Sequence, residues 1–136
     1  MNRHQLREET FCLLFLTEFH PQDEVGEQMR IFIEERDMGD QGGYVHDKVA
    51  DIIAHHDEID ERIESRAENW KLSRMGRVEQ ALLRLAVYEV LYEKLPTGIA
   101  INEAVELAKV YGQESTPSFV NGVLARVIGS EDQKDA

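Results

Sequence analysis

The chain has one cysteine, Cys12. No intrachain disulfide can form, which suits a reducing compartment such as the cytoplasm. The thiol sits inside the apolar run FCLLFL, where it reads as a small buried hydrophobe; a nucleophile needs exposure and a nearby positive group. Proline is scarce too, with three among 136 residues, and most of the nine glycines fall between periodic stretches. So few breakers within the periodic stretches favour helices. No apolar run approaches the ~20 residues of a membrane span. Met1 is followed by polar residues rather than by the apolar core of a secretory signal. The scarce charge is the positive one: 15 Lys and Arg stand against 27 Asp and Glu, a formal net charge of −12. That balance argues against a generic nucleic-acid binder, because phosphate contacts carry most nonspecific affinity.

What is present is a globular composition, 42% hydrophobic and 31% charged. One domain is the default at this length, and a chain of this size hides roughly two-thirds of its unfolded surface. The acid is concentrated. Residues 21–68 hold fifteen acids against five bases, whereas residues 1–20 come to −1 and residues 69–95 to +2. The amino-terminal tip and the middle are nearly free of excess acid, which leaves room for a localised RNA site.

Periodicity predicts helices over 3–19 and, after Pro21, over 24–37, with Val25, Met29, Phe32 and Ile33 on one side. MGDQGG at 38–43 reads as a flexible turn. A helix then runs over 44–56 with Val45, Val49, Ile52 and Ile53, followed by a short one over 57–68 anchored by Ile59 and Ile63. Residues 77–93 are apolar nearly all the way round, the mark of a central helix. Pro96 stops it, and 99–111 follows with Ile101, Ala104, Val105 and Ala108 toward the core. Ser115 or Thr116 can cap a last helix whose first turn accepts Pro117. There is no convincing strand. The expected fold class is all-α, a bundle of about seven helices in two groups. Trp70, Lys71 and Arg74 read as the hinge between the groups, with Trp70 as core in preference to a stacking platform. The tail SEDQKDA at 130–136 looks disordered.

The last helix contains an oddity. PSFVNGVLARV places Asn121 and Gly122 in mid-helix, where Gly costs about 1 kcal/mol against Ala. At about 100° per residue, Val120, Val123, Leu124, Val127 and Ile128 form one apolar stripe. Phe119, Gly122 and Arg126 share a neighbouring stripe, where Gly122 leaves a gap between a ring and a guanidinium. A nucleobase can stack on such a ring while Arg126 or Ser118 meets a phosphate or a base edge. Equally, Gly122 can permit tight helix packing, with Phe119 simply core.

Other groups carry less. Arg3 and Arg7 are one turn apart and share a face; they form a two-point phosphate clamp or are cations tolerated at a frayed terminus against the helix dipole. Glu79 and Glu89 lie ~15 Å apart along one helix, too far for joint acid–base chemistry. An ion pair with Arg84, Arg77 or Lys71, or a partner contact, fits them better. His55 and His56 with Asp51, Asp57 and Glu58 suggest a metal or a hydrolase, but adjacent histidines diverge by about 100° on a helix. We expect no metal, no cofactor and no catalytic residue.

The run AINEAVELAKVYG followed by SFVNGVL is very similar to the carboxy-terminal signature of the NusB transcription antitermination family. EQALLRLAVYE resembles that family's central helix, and M-N-R-x-x-x-R-E followed by LLF resembles its first helix. The similarity covers most of the chain and is weak only across 21–68. It implies a single RNA-binding domain of two helical subdomains, about 1–70 and 71–130, in an all-helical NusB-like fold without catalysis. It implies binding of boxA RNA together with NusE, a ribosomal protein. The pair would join RNA polymerase and other Nus factors and suppress termination, chiefly on ribosomal RNA operons. Carried onto this sequence, the RNA-binding residues are Arg3, Arg7, Phe119, Asn121 and Gly122, with Ser118 and Arg126 beside them. Phe15 and Glu79 fall on the NusE-facing surface.

The departures have consequences. His4 and Gln5 stand within a thinner basic start, and Ser118 replaces a frequent base. The isolated chain should therefore bind RNA modestly, with a shallow salt slope, and depend on its partner. The thinned bases also allow a helical protein-interaction module with little RNA binding of its own. Relatives occur as monomers and dimers, so a homodimer stays open.

Overall fold

In the computed structural model, which describes residues 1–68 and 70–131, seven α-helices and one short 3-10 turn account for the regular structure, with no strand among the described residues. The helices are α1 (Arg3–Thr17), α2 (Gln22–Arg36), α3 (Gln41–Ala54), α4 (His56–Arg66), α5 (Arg77–Leu91), α6 (Thr97–Tyr111) and α7 (Thr116–Ile128), with the 3-10 turn at Leu72–Arg74. This is the all-α class and the helix order that periodicity predicts. Of the tail expected to be disordered, residues 132–136 lie outside the described residues.

The chain divides into two compact units, Met1–Ala54 and His55–Ala136. The sequence reading sets the division near residue 70; here α4 packs against α5 and α7 and so goes with the second group. The reason is local. Ile59 and Ile63 of α4 are fully buried, and Asp60 between them takes a forked ion pair from Arg84 of α5. Trp70, Lys71 and Arg74 consequently sit inside the second unit, between α4 and α5, and are not a hinge.

In the first unit, α1 opens with a reciprocal cap: Gln5 N–H donates to Asn2 Oδ1 at 2.8 Å, and Asn2 N–H donates to Gln5 Oε1 at 3.0 Å. Phe11, Leu13 and Leu14 supply the buried face of α1, against Met29 and Phe32 of α2 and Val45, Val49 and Ile52 of α3. The α2 helix ends at Asp37, in the left-handed region at φ 49°. The expected flexible turn is shorter than MGDQGG, because α3 already starts at Gln41. Gly42 is needed there: a Cβ would stand 2.9 Å from Ile33 of α2, so glycine lets the two helices approach.

In the second unit, α5 is central, in contact with α4, α6 and α7. Its residues Ala81, Leu82, Leu83, Leu85, Ala86, Val87, Tyr88 and Val90 are all buried, which is why its sequence is apolar on every side. Lys94, at φ 60°, turns the chain away before Pro96. Gly112 closes the corner between α6 and α7, where a Cβ would lie 2.6 Å from the Thr116 side chain. Of the two expected caps for α7, Ser115 occupies the position without a side-chain bond, and Thr116 Oγ1 instead accepts from Gln113 N–H at 3.0 Å.

Candidate nucleic-acid interface

The α7 helix survives its Asn-Gly pair because its other face is strongly buried. Val120, Leu124, Val127 and Ile128 are fully buried and Val123 nearly so. Each such side chain gains about 1.5–3 kcal/mol on burial, which outweighs the ~1 kcal/mol that glycine costs. Arg62 of α4 fastens the far end, donating from Nε to the Val127 carbonyl at 3.3 Å and pairing with Glu131. Burial, and secondarily the neighbouring Arg66 charge, hold the Arg62 guanidinium below its ordinary pKa.

One alternative left open by the sequence is now decided. A Cβ on Gly122 would meet nothing within 4 Å, so this glycine does not serve helix packing. It lies on an exposed strip with Asn121 and Arg126. Phe119 is neither sealed nor free: it is half-buried, and Trp70 packs against it edge-on at 5.1 Å between ring centroids and 81° between planes. Trp70, expected in the core, is 45% exposed. Arg126 approaches Glu68 at 4.0 Å, a pairing between two exposed side chains that holds neither firmly. Ser118 is exposed, and its hydroxyl donates to the Ser115 carbonyl at 3.3 Å.

Phe119 and Ser118 border an open groove of about 410 Å³, lined also by Trp70, Arg74, Met75, Glu79 and Ser115. Glu79 therefore stands beside the α7 residues, although the sequence reading assigns it to a different surface. Its Oε2 accepts the Gly76 N–H at 3.1 Å and so caps α5, a backbone partner rather than the cationic one expected. A second groove of about 480 Å³ is lined by Glu64, Trp70, Lys71 and Arg74. Trp70 and Arg74 belong to both and form the wall between them. Sequence reasoning missed both as site residues. The available signal was context: in AENWKLSR the residues next to the tryptophan are polar, and only the small Ala67 stands one turn before it.

The remaining expected site residues belong to the first unit. Arg3 is exposed on the first turn of α1, and Arg7 is half-buried one turn later. Phe15 is half-buried in a ladder along α1, stacked on Phe11 at 5.9 Å and edge-on to Phe19 at 5.0 Å. Phe19 itself is 55% exposed. The histidines are engaged elsewhere: His56 Nε2 lies 3.1 Å from Asp60, and the His55 ring packs on Tyr92 at 4.6 Å. Among the described residues no group of three His, Cys, Asp or Glu side chains is arranged to hold a metal, and no helix is long and apolar enough to cross a membrane.

The comparisons with known proteins agree with this architecture. Over 129 residues the chain is 43% identical to the transcription antitermination protein NusB of Agathobacter rectalis, covering 93% of this chain and 98% of that one. A solved structure of T. maritima NusB superposes with a TM-score of 0.82 at 30% identity, over 100% of this chain and 99% of the other. A chain from the structure of the antitermination factors NusB and NusE in complex with dsRNA gives 0.76 at 30% identity, over 96% and 99%. The family model described as the NusB family matches residues 4–129. Seven helices among the described residues in the expected order, Asn121 and Gly122 of FVNG open to solvent and these likenesses together make the chain a member of the NusB family, a family of transcription antitermination proteins.

Proposed function

We propose that this chain is a non-catalytic antitermination factor of the cytoplasm. It binds boxA-type single-stranded RNA together with the ribosomal protein NusE and joins RNA polymerase through other Nus factors. One observation carries the reading: on α7 the buried apolar stripe leaves Asn121, Gly122 and Arg126 exposed, with Gly122 and Arg126 on the side of the half-buried ring of Phe119. A helix that places glycine where no packing needs it gains nothing by itself; a close-approaching ligand gives that placement a use. A stacked base requires an unpaired strand, which favours single-stranded RNA at Phe119.

In this reading Phe119, Asn121 and Gly122 accept bases, with Ser118 and Arg126 at the edges, while Arg3 and Arg7 hold phosphate. Phe15 and Glu79 dock NusE. Each contact is weak, and a preassembled protein pair multiplies them through effective concentration. A solved relative that carries NusB with NusE and dsRNA supports the pairing. The net charge of −12 favours a second reading, an adaptor that binds protein but holds little RNA. A gel shift with boxA RNA, with and without NusE, separates them. The proposal expects weak binding alone and firm binding with NusE; the adaptor reading expects no RNA in either lane.

A further inference from the structure

We propose that Trp70 is a second base-stacking residue, and that the wall it forms with Arg74 seats two successive nucleotides of one RNA strand, one in each groove. The proposal rests on the RNA-binding reading above. Trp70 is 45% exposed, although a tryptophan side chain has more apolar surface to bury than any other. It is held rather than loose. Its ring meets that of Phe119 at 81°, and the chain just beyond it is pinned by Leu72 N–H donating to Glu64 Oε2 at 3.0 Å. Two rings at right angles cannot stack on the same base. They present faces in different directions, and Phe119 lines one groove while Trp70 lines both.

The charges fit a strand crossing this wall. Residues 69–95 carry +2 in a chain of −12, and Lys71 and Arg74 of that segment are both exposed at the grooves. Arg74 lines both grooves, so one guanidinium lies where the phosphate between two bases must pass. The two carboxylates, Glu79 and Glu64, lie one in each groove, and each accepts a backbone N–H. Both repel phosphate; Glu64 can accept from a base amino group, while Glu79 in the reading above faces NusE. The backbone therefore runs on the Arg74 and Lys71 side, with the bases turned toward Glu64 and the rings. A protein partner would satisfy the exposed ring, but it has no need of two aromatic faces divided by a shared cation.

Trp70 is the sole tryptophan, so 5-fluorotryptophan labelling gives the chain one fluorine resonance. The labelled full chain is mixed with unlabelled NusE and then with a boxA oligonucleotide. The expected result is a signal that RNA shifts further, beyond any change NusE causes through Glu79 in the same groove. In the same ternary mixture Trp70→Ala should weaken RNA binding roughly five- to a hundredfold, the range set by loss of one stacked base. Trp70→Phe, which keeps a stacking face, should restore most of it. Thermal melts check that the variants fold; if Trp70→Ala does not, the fluorine shift and Trp70→Phe still decide. RNA binding with an unmoved signal overturns the Trp70 assignment and leaves the RNA reading intact. A signal moved by NusE alone, with no further change on adding RNA, makes the corner a protein contact and overturns it. Failure to retain RNA even with NusE overturns both.

Discussion

Arg84 of α5 grips Asp60 of α4 with two parallel hydrogen bonds, Nε to Oδ1 at 2.8 Å and Nη2 to Oδ2 at 3.0 Å. The side chains are only 11% and 19% exposed. Removing Arg84 leaves the largely buried Asp60 carboxylate with only His56 beside it, so Arg84→Ala should cost about 2–4 kcal/mol, a fully buried pair costing more. Replacing both, with Arg84→Met and Asp60→Leu, should cost much less than the single change, because no charge is stranded. Urea unfolding midpoints check this, and equal losses in the single and double variants would refute it.

At Gly122 the prediction has two signs. With nothing within 4 Å of a Cβ, Gly122→Ala should raise stability by up to about 1 kcal/mol through helix propensity alone. If RNA approaches this backbone closely, the same methyl should weaken binding in the ternary complex. A thermal melt and an RNA titration on one sample test both halves.

Phe119→Asp should lower RNA binding while the chain stays folded. The ring is half-buried, and its edge-on contact with Trp70 is worth about 0.5–1.5 kcal/mol beyond area burial. That is small against a domain stability of roughly 5–15 kcal/mol. Loss of the helical circular dichroism signal in this variant would return Phe119 to the core.

If Arg3 and Arg7 hold phosphates, salt dependence will show it. Each phosphate contact to a single strand adds about 0.7 to the slope of log K against log salt. Arg3→Ala and Arg7→Ala should each flatten the slope by about that amount, whatever the RNA sequence. Weaker binding with an unchanged slope would mean that these side chains act through the fold.

On α2, Glu27 has its pKa lowered by the hydrogen bond and then the charge of Arg30. A lowered carboxylate pKa stabilises the fold above the unfolded value and loses that contribution as pH falls through the folded one. The melting-temperature gap between wild type and Glu27→Gln should therefore be present near neutrality and close below about pH 4. Added salt should shrink it, because the pair is exposed.

Helix number and order were legible because the apolar residues repeat at helical spacing and the prolines stand at helix starts. The 38–43 segment misled, since Gly42 looks like a loop residue and is in fact a packing glycine against Ile33. The α7 strip was legible as geometry, because five buried residues fix which way the helix faces. Trp70 was not. Its polar neighbours hint at exposure, but nothing local says that its ring will meet that of Phe119.

The sequence by itself determined the helices, the apolar faces they bury and the family to which the chain belongs, because these follow from short-range periodicity and from motif residues at fixed spacing. Only the tertiary structure decided that α4 packs with α5 and α7, that Glu79 shares a groove with Ser118 and Phe119, and that Gly122 opens onto solvent. Those facts depend on which side chains from distant segments meet, and neither an ion pair across twenty-four residues nor an empty space beside a glycine leaves a local mark.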